Sequence, residues 1–254
     1  MGGLEEIGMS LMNQDNTFVD LALIIPIYNE EGSVAKVLRS WNAELDKLAI
    51  NYEIHVYNDG SRDDTAEIIE TEIKANSAII LHNKPNSGHG PTILLGYQEN
   101  DSRAEWLFQV DSDDEMGPEW FYKLWNIRQD HEFIVGKRYE RKSSFYRRMI
   151  SMMARLSVQV LFGACVYDVN CPYRLMRSAT FKECFDIIPP RTFAPNVLIS
   201  GWASWHNIKT IEIHIPHRSR YSGRVSLSLW KVIRESIRSF WQTFRFRALL
   251  RSRM

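Results

Sequence analysis

Four segments with the pattern of a buried strand alternate with segments of helical spacing in the first half of this 254-residue chain. The strand-like segments begin near residues 20, 52, 78 and 105. The first is followed by apolar residues at Val34, Val37, Leu38 and Trp41, which share one face of a helix. This alternation predicts an α/β fold with a mostly parallel sheet and helices on both of its faces.

The pattern changes after residue 134. We predict a short strand, an amphipathic helix, a second strand and a C-terminal amphipathic helix, in residues 133–139, 143–163, 210–217 and 226–250. The expected organisation is a disordered leader, a catalytic domain and a basic amphipathic tail, in residues 1–17, 18–225 and 226–254. The three cysteines are irregularly spaced, which predicts neither a disulfide framework nor a zinc site.

Polar clusters stand where three of the predicted strands end. They are Tyr28–Glu31, Asn58–Ser61 and Asp111–Asp113. Sheets of this kind bind ligands beyond the carboxyl ends of their strands, so we expect the three clusters to converge on one crevice. The loop "NSGHGP" precedes another helix, but it matches neither of the common glycine-rich phosphate-binding motifs. Its His89 is interpreted as an exposed loop residue, with a phosphate contact as the alternative.

The stretch "LFQVDSDDEM" turns from apolar to acidic within a few residues. Asp111 and Asp113 leave the end of a strand two positions apart, so both carboxylates can reach one divalent ion. Such oxygen ligands suit Mg²⁺ or Mn²⁺, which bind through one or two carboxylates together with substrate phosphates. The alternative is an acidic loop in which Asp114 and Glu115 stabilise the N-terminus of the helix after Pro118.

The C-terminal region is basic, although the whole chain has a formal net charge of zero. From Arg218 onward there are ten Lys and Arg residues and one acid, Glu235. An apolar stripe with helical spacing runs beside these cations; its members are Trp230, Ile233, Ile237, Trp241, Phe244 and Ala248, with Phe240 next to it. The combination is typical of a helix at a membrane surface or on a membrane-embedded partner protein, and packing on the protein's own core is the alternative.

Targeting signals are not evident in the sequence. Residues 1–17 are polar and do not resemble a signal peptide, and no run approaches the roughly 20 apolar residues that a membrane span needs. Together with the basic tail, this predicts a cytoplasmic protein that is peripheral at the cytoplasmic face of a membrane.

Six segments occur in the order and spacing of family 2 glycosyltransferases. They are "IPIYNEE", "YNDGSRDDT", "NSGHGPTILLGY", "FQVDSDDEM", "VGKRY" and "DVNCPYRLMR". Between about Leu21 and Trp230 the chain resembles the polyprenyl-phosphate sugar transferases of this family, such as dolichyl-phosphate mannose synthase. The resemblance implies a GT-A fold, a UDP- or GDP-linked sugar donor, a lipid-phosphate acceptor and a divalent metal, Mg²⁺ or Mn²⁺.

The resemblance also assigns roles to residues. Pro26, Tyr28, Glu30 and Asp59 match positions that bind the nucleotide, while Asp111 and Asp113 match the metal-binding D-x-D motif. Arg138 matches an arginine near the sugar or the phosphates. Asp168 and Arg174 match the two ends of a further family motif, and the resemblance implies that Arg174, like Asp111, binds the nucleotide sugar. Arg220 and Gly223 match a mobile basic segment that closes over the diphosphate. Arg218 and Arg224 are additional candidates for phosphate contact because arginine suits bidentate binding of phosphate.

The nature of the acceptor leaves alternatives open. An acceptor phosphate needs no protein base because it is already ionised at neutral pH. A sugar hydroxyl on a glycan or a lipid-linked saccharide does need one, and Asp114 is then the candidate. Residues 193–201 lack the Glu that these synthases often carry, which keeps the hydroxyl acceptor open. A nucleic-acid-binding module is disfavoured because the acidic crevice would repel a nucleic-acid backbone, and a catalytically dead scaffold because the Asp111/Asp113 pair is intact.

Overall fold

The structure is a computed structural model that describes residues 18–139, 145–163, 166–216 and 229–253. The leader expected at 1–17 lies outside these residues, as do Arg218, Arg220, Gly223 and Arg224. The strands are β1 (Val19–Ile27), β2 (Tyr52–Asn58), β3 (Ile79–Asn83), β4 (Ala104–Gln109), β5 (Phe133–Tyr139), β6 (Arg174–Arg177) and β7 (Thr210–Pro216). The helices are α1 (Val34–Asp46), α2 (Thr65–Ala75), α3 (His89–Asn100), α4 (Phe121–Trp125), α5 (Phe145–Phe162), α6 (Ser178–Ile187), α7 (Pro195–Trp205) and α8 (Leu229–Ser252).

The seven strands form one sheet in the order β3-β2-β1-β4-β6-β5-β7. Strands β1 to β4 pair in parallel, and so do β5 and β7, whereas β6 is antiparallel to both of its neighbours. The predicted α/β class with a mostly parallel sheet is therefore confirmed. Three elements were not predicted: β6, α6 and α7. Strand β6 is only four residues long and begins and ends with arginine, so its sequence resembles a polar loop.

Burial of the alternating segments explains why they form these elements. Eight of the nine residues of β1 are buried, as expected for a central strand covered on both faces. In α1 the buried residues include Val37, Leu38 and Trp41, on the face that the spacing predicted. Trp41 packs on Phe108 of β4 with ring centroids 5.4 Å apart. This contact holds α1 against β4 near the end of the strand, just before the D-x-D motif.

Helix α8 packs against α5 through one of its faces. Phe246 lies 6.3 Å from Phe162 between ring centroids, and Nε of Arg247 donates a 2.6 Å hydrogen bond to the carbonyl oxygen of Leu161. The predicted apolar stripe lies on another face, where Ile237 and Trp241 are 53% and 55% exposed. For the members of the stripe whose side chains are described, packing on the protein's own core is therefore ruled out. None of the described helices carries an apolar run long enough to cross a bilayer.

Candidate active site

The carboxyl ends of β1, β2 and β4 open onto a cavity of about 310 Å³. Its wall contains the nucleotide-binding residues that the sequence predicted from the first two loops and both aspartates of the D-x-D motif. The lining residues are Pro26, Ile27, Tyr28, Glu30, Asp59, Asn86, Gly88, His89, Thr92, Asp111, Ser112 and Asp113. The predicted convergence of the three polar clusters on one crevice is therefore observed, and we call this crevice the polar cavity.

Asp111 is held by two donors that approach the same carboxylate oxygen. Oδ1 accepts hydrogen bonds from Nε2 of Gln109 at 2.9 Å and from Nε2 of His89 at 3.0 Å. Removal from water acts to raise the pKa of Asp111, but the charge and hydrogen bond of His89 and the charge of Arg138 keep this pKa below its ordinary value. Asp111 is therefore an ionised carboxylate at neutral pH.

Asp113 and Asp114 follow in a loop of unusual backbone geometry. Oδ1 of Asp113 accepts a 3.2 Å hydrogen bond from the backbone nitrogen of Glu115, and Asp114 has a φ of 55°. The Asp114 carboxylate pairs with Nζ of Lys36 on α1 at 3.0 Å. Asp114 lines neither of the two cavities described for this site. Its contact with α1 fits a role in shaping the loop.

The donor set fits a hard divalent cation. Asp111 and Asp113 supply carboxylate oxygens on one wall of the polar cavity, and this chemistry suits Mg²⁺ or Mn²⁺. Within the described ranges no group of three or more His, Cys, Asp or Glu side chains is arranged to hold a metal by itself. A cation bound here would take its remaining ligands from substrate phosphates or water, as Mg²⁺ commonly does.

The carboxylate of Asp59 holds the glycine-rich loop in place through hydrogen bonds. Its carboxylate accepts a hydrogen bond from Nζ of Lys84 and 2.8 Å bonds from the backbone nitrogens of Ser87 and Gly88. Desolvation acts to raise the pKa of Asp59, but these donors lower it overall. Gly88 has a φ of 94°, a conformation that L side chains rarely adopt. The loop is thereby fixed at the start of α3, where His89 points to Asp111.

Arg138 forms a buried bidentate ion pair with Asp168. Nε and Nη2 of Arg138 lie 2.6 and 2.9 Å from the two carboxylate oxygens of Asp168. The two side chains are only 11% and 12% exposed. Arg138 nevertheless lines a second cavity together with Asp111, so its cationic charge acts at the boundary of the site.

The second cavity has a volume of about 1040 Å³ and a mostly apolar wall, and we call it the apolar cavity. It runs between α3, α5, α7 and α8. Its wall includes Ile93, Leu94, Leu95, Ile150, Ala154, Phe193 and Val197. Asn86, Gly88, His89 and Asp111 also line the polar cavity. The two cavities therefore meet at the His89–Asp111 contact.

Two of the predicted arginines, Arg174 and Arg220, are not among the described residues that line the two cavities. Arg174 is fully buried, and its guanidinium donates to the carbonyl oxygens of Val169, Cys171 and Asn196. The prediction that it binds the nucleotide sugar directly is not supported, because its side chain is enclosed by these backbone groups and lines neither cavity. Arg220 lies outside the described residues, so its role stays a prediction.

Sequence reasoning missed three residues next to the predicted site. His89 was interpreted as an exposed loop residue, and its side chain is 57% exposed, but its contact with Asp111 was not predicted. Lys84 and Gln109 were not considered. Only their positions could have indicated them, since Lys84 precedes the glycine-rich loop, His89 lies within it and Gln109 is an amide within an apolar strand. The contacts of Lys84 with Asp59 and of His89 with Asp111 depend on the tertiary fold, whereas Gln109 contacts Asp111 from two positions away in the chain.

Comparison with known proteins identifies the family. A model of glycosyl transferase family 2 matches residues 22–193. The chain belongs to this family. Curated relatives include undecaprenyl-phosphate 4-deoxy-4-formamido-L-arabinose transferases from Pseudomonas aeruginosa (30% identity; 85% of this chain and 62% of the relative) and Edwardsiella ictaluri (29% identity; 87% and 67%). This family 2 chain thus spans about 62% of the length of its Pseudomonas relative.

Solved structures of low sequence identity share the fold. Glucosyl-3-phosphoglycerate synthase from Mycobacterium tuberculosis, solved with Mn²⁺, UDP and glucosyl-3-phosphoglycerate, has a TM-score of 0.64 at 15% identity and covers 91% of this chain and 80% of its own. Staphylococcus aureus TarS 1–349 with UDP-GlcNAc has a TM-score of 0.55 at 18% identity, with coverages of 85% and 65%. These likenesses confirm the predicted GT-A fold.

Proposed function

We propose that this family 2 protein is an inverting glycosyltransferase that moves a sugar from a nucleotide diphosphate donor to a polyprenyl phosphate at a membrane surface. Relatives that carry the name of undecaprenyl-phosphate sugar transferases support this choice. One observation about the site carries it. Asp111 lies on the wall of both a polar cavity and a larger, mostly apolar cavity. A charged donor and a lipid acceptor would meet at this residue.

The polar cavity is assigned to the donor. Pro26, Tyr28, Glu30 and Asp59 would contact the nucleotide of a UDP- or GDP-linked sugar. UDP is the nucleotide in the solved structures of the same fold, which makes it the first donor to test. Ser112 borders the same cavity and is available for a further polar contact.

Asp111 and Asp113 would hold the divalent metal, Mg²⁺ or Mn²⁺. When bound, such an ion supplies positive charge to the leaving diphosphate. Arg138 would stabilise the negative charge of the leaving diphosphate from the side of the apolar cavity. Its ion pair with Asp168 fixes its position. Arg220 is proposed to contact the diphosphate from the basic segment around it. Electrostatic stabilisation of this kind is usually the largest contribution to catalysis.

The reaction needs one bond to form and one to break. An oxygen of the acceptor phosphate forms a bond to the anomeric carbon, and the bond from that carbon to the nucleoside diphosphate breaks with its electron pair leaving on the diphosphate. The acceptor is ionised near neutral pH, so no proton has to be removed from it. Attack from the face opposite the leaving group inverts the configuration.

A hydroxyl acceptor remains the alternative within the same family. It would require a base, for which the sequence suggested Asp114. Asp114 pairs with Lys36 and does not line the apolar cavity. That placement favours the phosphate acceptor, because the base named for the hydroxyl reaction is not directed toward the proposed acceptor.

The exposed faces of α5 and α8 are proposed to rest on an anionic membrane. On α5, Met152, Leu156 and Val160 are 57–75% exposed. Helix α8 packs against α5 and exposes Ile237, Trp241 and Phe244. The residues of α8 include six Lys and Arg and one acid, Glu235. Apolar side chains flanked by cations suit an anionic leaflet, which favours the cytoplasmic face. A membrane-embedded partner protein is the alternative occupant of this surface.

Filling the apolar cavity tests the acceptor assignment. In Ala154→Trp an indole would occupy part of the cavity, and Gln159→Trp places the same indole at an exposed position of α5. With a short, water-dispersible polyprenyl phosphate, we expect Ala154→Trp to raise the KM for the acceptor and to leave the affinity for UDP unchanged. Gln159→Trp should behave as wild type. Equal acceptor KM values in both variants would contradict the assignment.

A further inference from the structure

A chain of buried amides lies directly behind the proposed metal-binding carboxylate. Gln109 and Asn196 are 0% and 3% exposed, and Tyr97 beside them is fully buried. Gln109 is the last residue of β4 and stands between the apolar residues Phe108 and Val110, where a buried amide without partners would be destabilising. An apolar side chain at each of these positions would avoid that cost. The chain ends at Asp111, which Gln109 contacts directly and Asn196 reaches through Gln109.

Hydrogen-bond polarity fixes the direction of the chain. A carboxylate only accepts, so the nitrogen of the Gln109 amide must face Oδ1 of Asp111, at 2.9 Å. The Gln109 oxygen then faces Asn196, whose Nδ2 donates to it at 2.8 Å. The Tyr97 hydroxyl also contacts both amides, at 3.3 Å from Gln109 Oε1 and 3.1 Å from Asn196 Oδ1.

Asn196 connects this chain to the wall of the apolar cavity. It stands in the first turn of α7 and lines that cavity. Its own carbonyl oxygen accepts from Nη1 of Arg174 at 3.1 Å, which holds the start of α7 against β6. Helix α7 is thus tied to Asp111 through two buried amides.

The bonds from Gln109 and His89 both reach Oδ1 of Asp111. Within the described hydrogen bonds, none reaches Oδ2 of that carboxylate. Two donors on one oxygen restrict rotation of the carboxylate and leave the second oxygen for a ligand. Residues that orient a metal-binding carboxylate in this way typically change metal affinity by about 10- to 100-fold when they are replaced.

We propose that Gln109, held by Asn196, is a positioning residue that orients Asp111 for the divalent metal. The inference rests on the proposed function, because it needs a metal at Asp111. It assigns a purpose to a buried polar residue in a strand that is otherwise apolar at this point, and it makes the N-terminus of α7 part of the metal site's support.

The test is direct titration of Mn²⁺ into the whole protein with UDP present, followed by the electron paramagnetic resonance signal of free Mn²⁺. Gln109→Met keeps the length of the side chain and removes its amide. The matched control is Tyr97→Phe, which removes a hydroxyl from the same network, leaves the Gln109–Asp111 bond intact and keeps the ring stacked on Phe185.

We expect Gln109→Met to weaken Mn²⁺ binding by about 10- to 100-fold, and Tyr97→Phe to lower the melting temperature without changing Mn²⁺ affinity. Raising the Mn²⁺ concentration should restore part of the activity of Gln109→Met. Asn196→Ala is the second variant, in case Gln109→Met does not fold; it should weaken Mn²⁺ binding toward the lower end of that range, because the Gln109 amide loses its orienting donor.

Each outcome decides one question. Wild-type Mn²⁺ affinity in Gln109→Met or in Asn196→Ala would overturn the inference, and so would an equal loss in Tyr97→Phe, since the effect would then be general loosening of the core. A wild-type protein that binds no Mn²⁺ in the presence of UDP would instead contradict the proposed metal-dependent function itself.

Discussion

Nε2 of His89 lies 3.0 Å from Oδ1 of Asp111, so the first residue of α3 contacts the carboxylate that follows β4. This contact stands where the polar and apolar cavities meet. Desolvation acts to lower the pKa of His89, but the attraction of Asp111, Asp113 and Asp59 raises it above its ordinary value. The imidazole Nε2 is placed to donate to Asp111, because an ionised carboxylate only accepts hydrogen bonds.

Replacement of His89 is expected to reduce activity more than stability. His89→Ala removes a donor from Asp111, and kcat/KM for sugar transfer should fall by about 10- to 100-fold. Its side chain is 57% exposed, so the free energy of unfolding should change by less than about 0.5 kcal/mol. His214→Ala, at an exposed position on β7 that lines neither cavity, is the control. Steady-state kinetics that show no difference between the two variants would contradict the assigned role.

The ion pair of Arg138 with Asp168 should contribute strongly to stability. Asp168→Ala leaves the Arg138 guanidinium buried without its carboxylate, which typically costs about 3–5 kcal/mol. The matched control, Glu44→Ala, breaks an i,i+3 pair with the largely exposed Lys47 and should cost less than about 1 kcal/mol. Urea denaturation measures both. Similar losses in the two variants would show that Arg138 finds another partner.

The free energy of unfolding should decrease as the pH drops through the range in which histidine side chains take up a proton. His82 stacks on Tyr57 with ring centroids 4.3 Å apart, and its Nε2 lies 3.0 Å from Nδ1 of His55. Burial and the neighbouring His55 lower the pKa of His82 below its ordinary value of 6.5, against the opposing charge of Glu99. The unfolded chain therefore binds this proton more readily than the folded protein. The stability contribution is complete above about pH 6.5 and is lost as the pH falls below it.

His82→Phe tests this dependence because a phenyl ring can keep the stack on Tyr57 but cannot bind a proton. Urea denaturation between pH 7 and pH 5 should show a smaller loss of stability in the variant than in the wild type, even though the variant is less stable at pH 7. If the free energy of unfolding of the variant changes with pH as steeply as that of the wild type, groups other than His82 cause the acid sensitivity.

The exposed stripe on α8 should bind vesicles that contain phosphatidylserine. Trp241 and Phe244 are 55% and 47% exposed, and replacing both by Ser removes much of the apolar area that a bilayer would bury. We expect the partition coefficient of the double variant between vesicles and water to fall by at least about tenfold relative to the wild type. Tyr122→Ser removes an equally exposed aromatic side chain elsewhere and should have no effect. Binding should also weaken with added salt, because the arginines of α8 act through screened charges.

Vesicle sedimentation measures this partition. A double variant that still sediments with the vesicles would contradict lipid contact through α8. If the wild-type protein does not bind vesicles of any composition, the result would favour the alternative of a membrane-embedded partner protein.

The sequence predicted the fold where local pattern and tertiary environment agree. The spacing from Val34 to Trp41 predicted the buried face of α1, and the alternation of segments predicted the parallel part of the sheet. Strand β6 was missed because Arg174 suggests a surface residue, whereas in the fold three backbone carbonyls surround its guanidinium. Nothing local to "RLMR" indicates those carbonyls.

In the candidate site, too, the sequence predicted the features that follow from local pattern and missed those that depend on tertiary contacts. The predicted residues of the first two loops and the D-x-D motif lie on one cavity because parallel strands bring their ends together. The contacts of Asp111 with His89 and of Gln109 with Asn196 join residues 22 and 87 positions apart. Such pairings depend on how α3 and α7 pack on the sheet, and spacing along the chain does not encode them.

Transfer of a radiolabelled sugar to undecaprenyl phosphate in detergent with Mn²⁺ tests the central claim most directly. A panel of UDP- and GDP-linked sugars serves as donors, and Asp113→Ala is the control. We expect one donor to give a labelled lipid product whose formation requires Asp113. Donor hydrolysis that requires Asp113 without any lipid product would contradict the lipid-phosphate acceptor and favour a hydroxyl, and a lipid product that survives Asp113→Ala would contradict the assignment of the site.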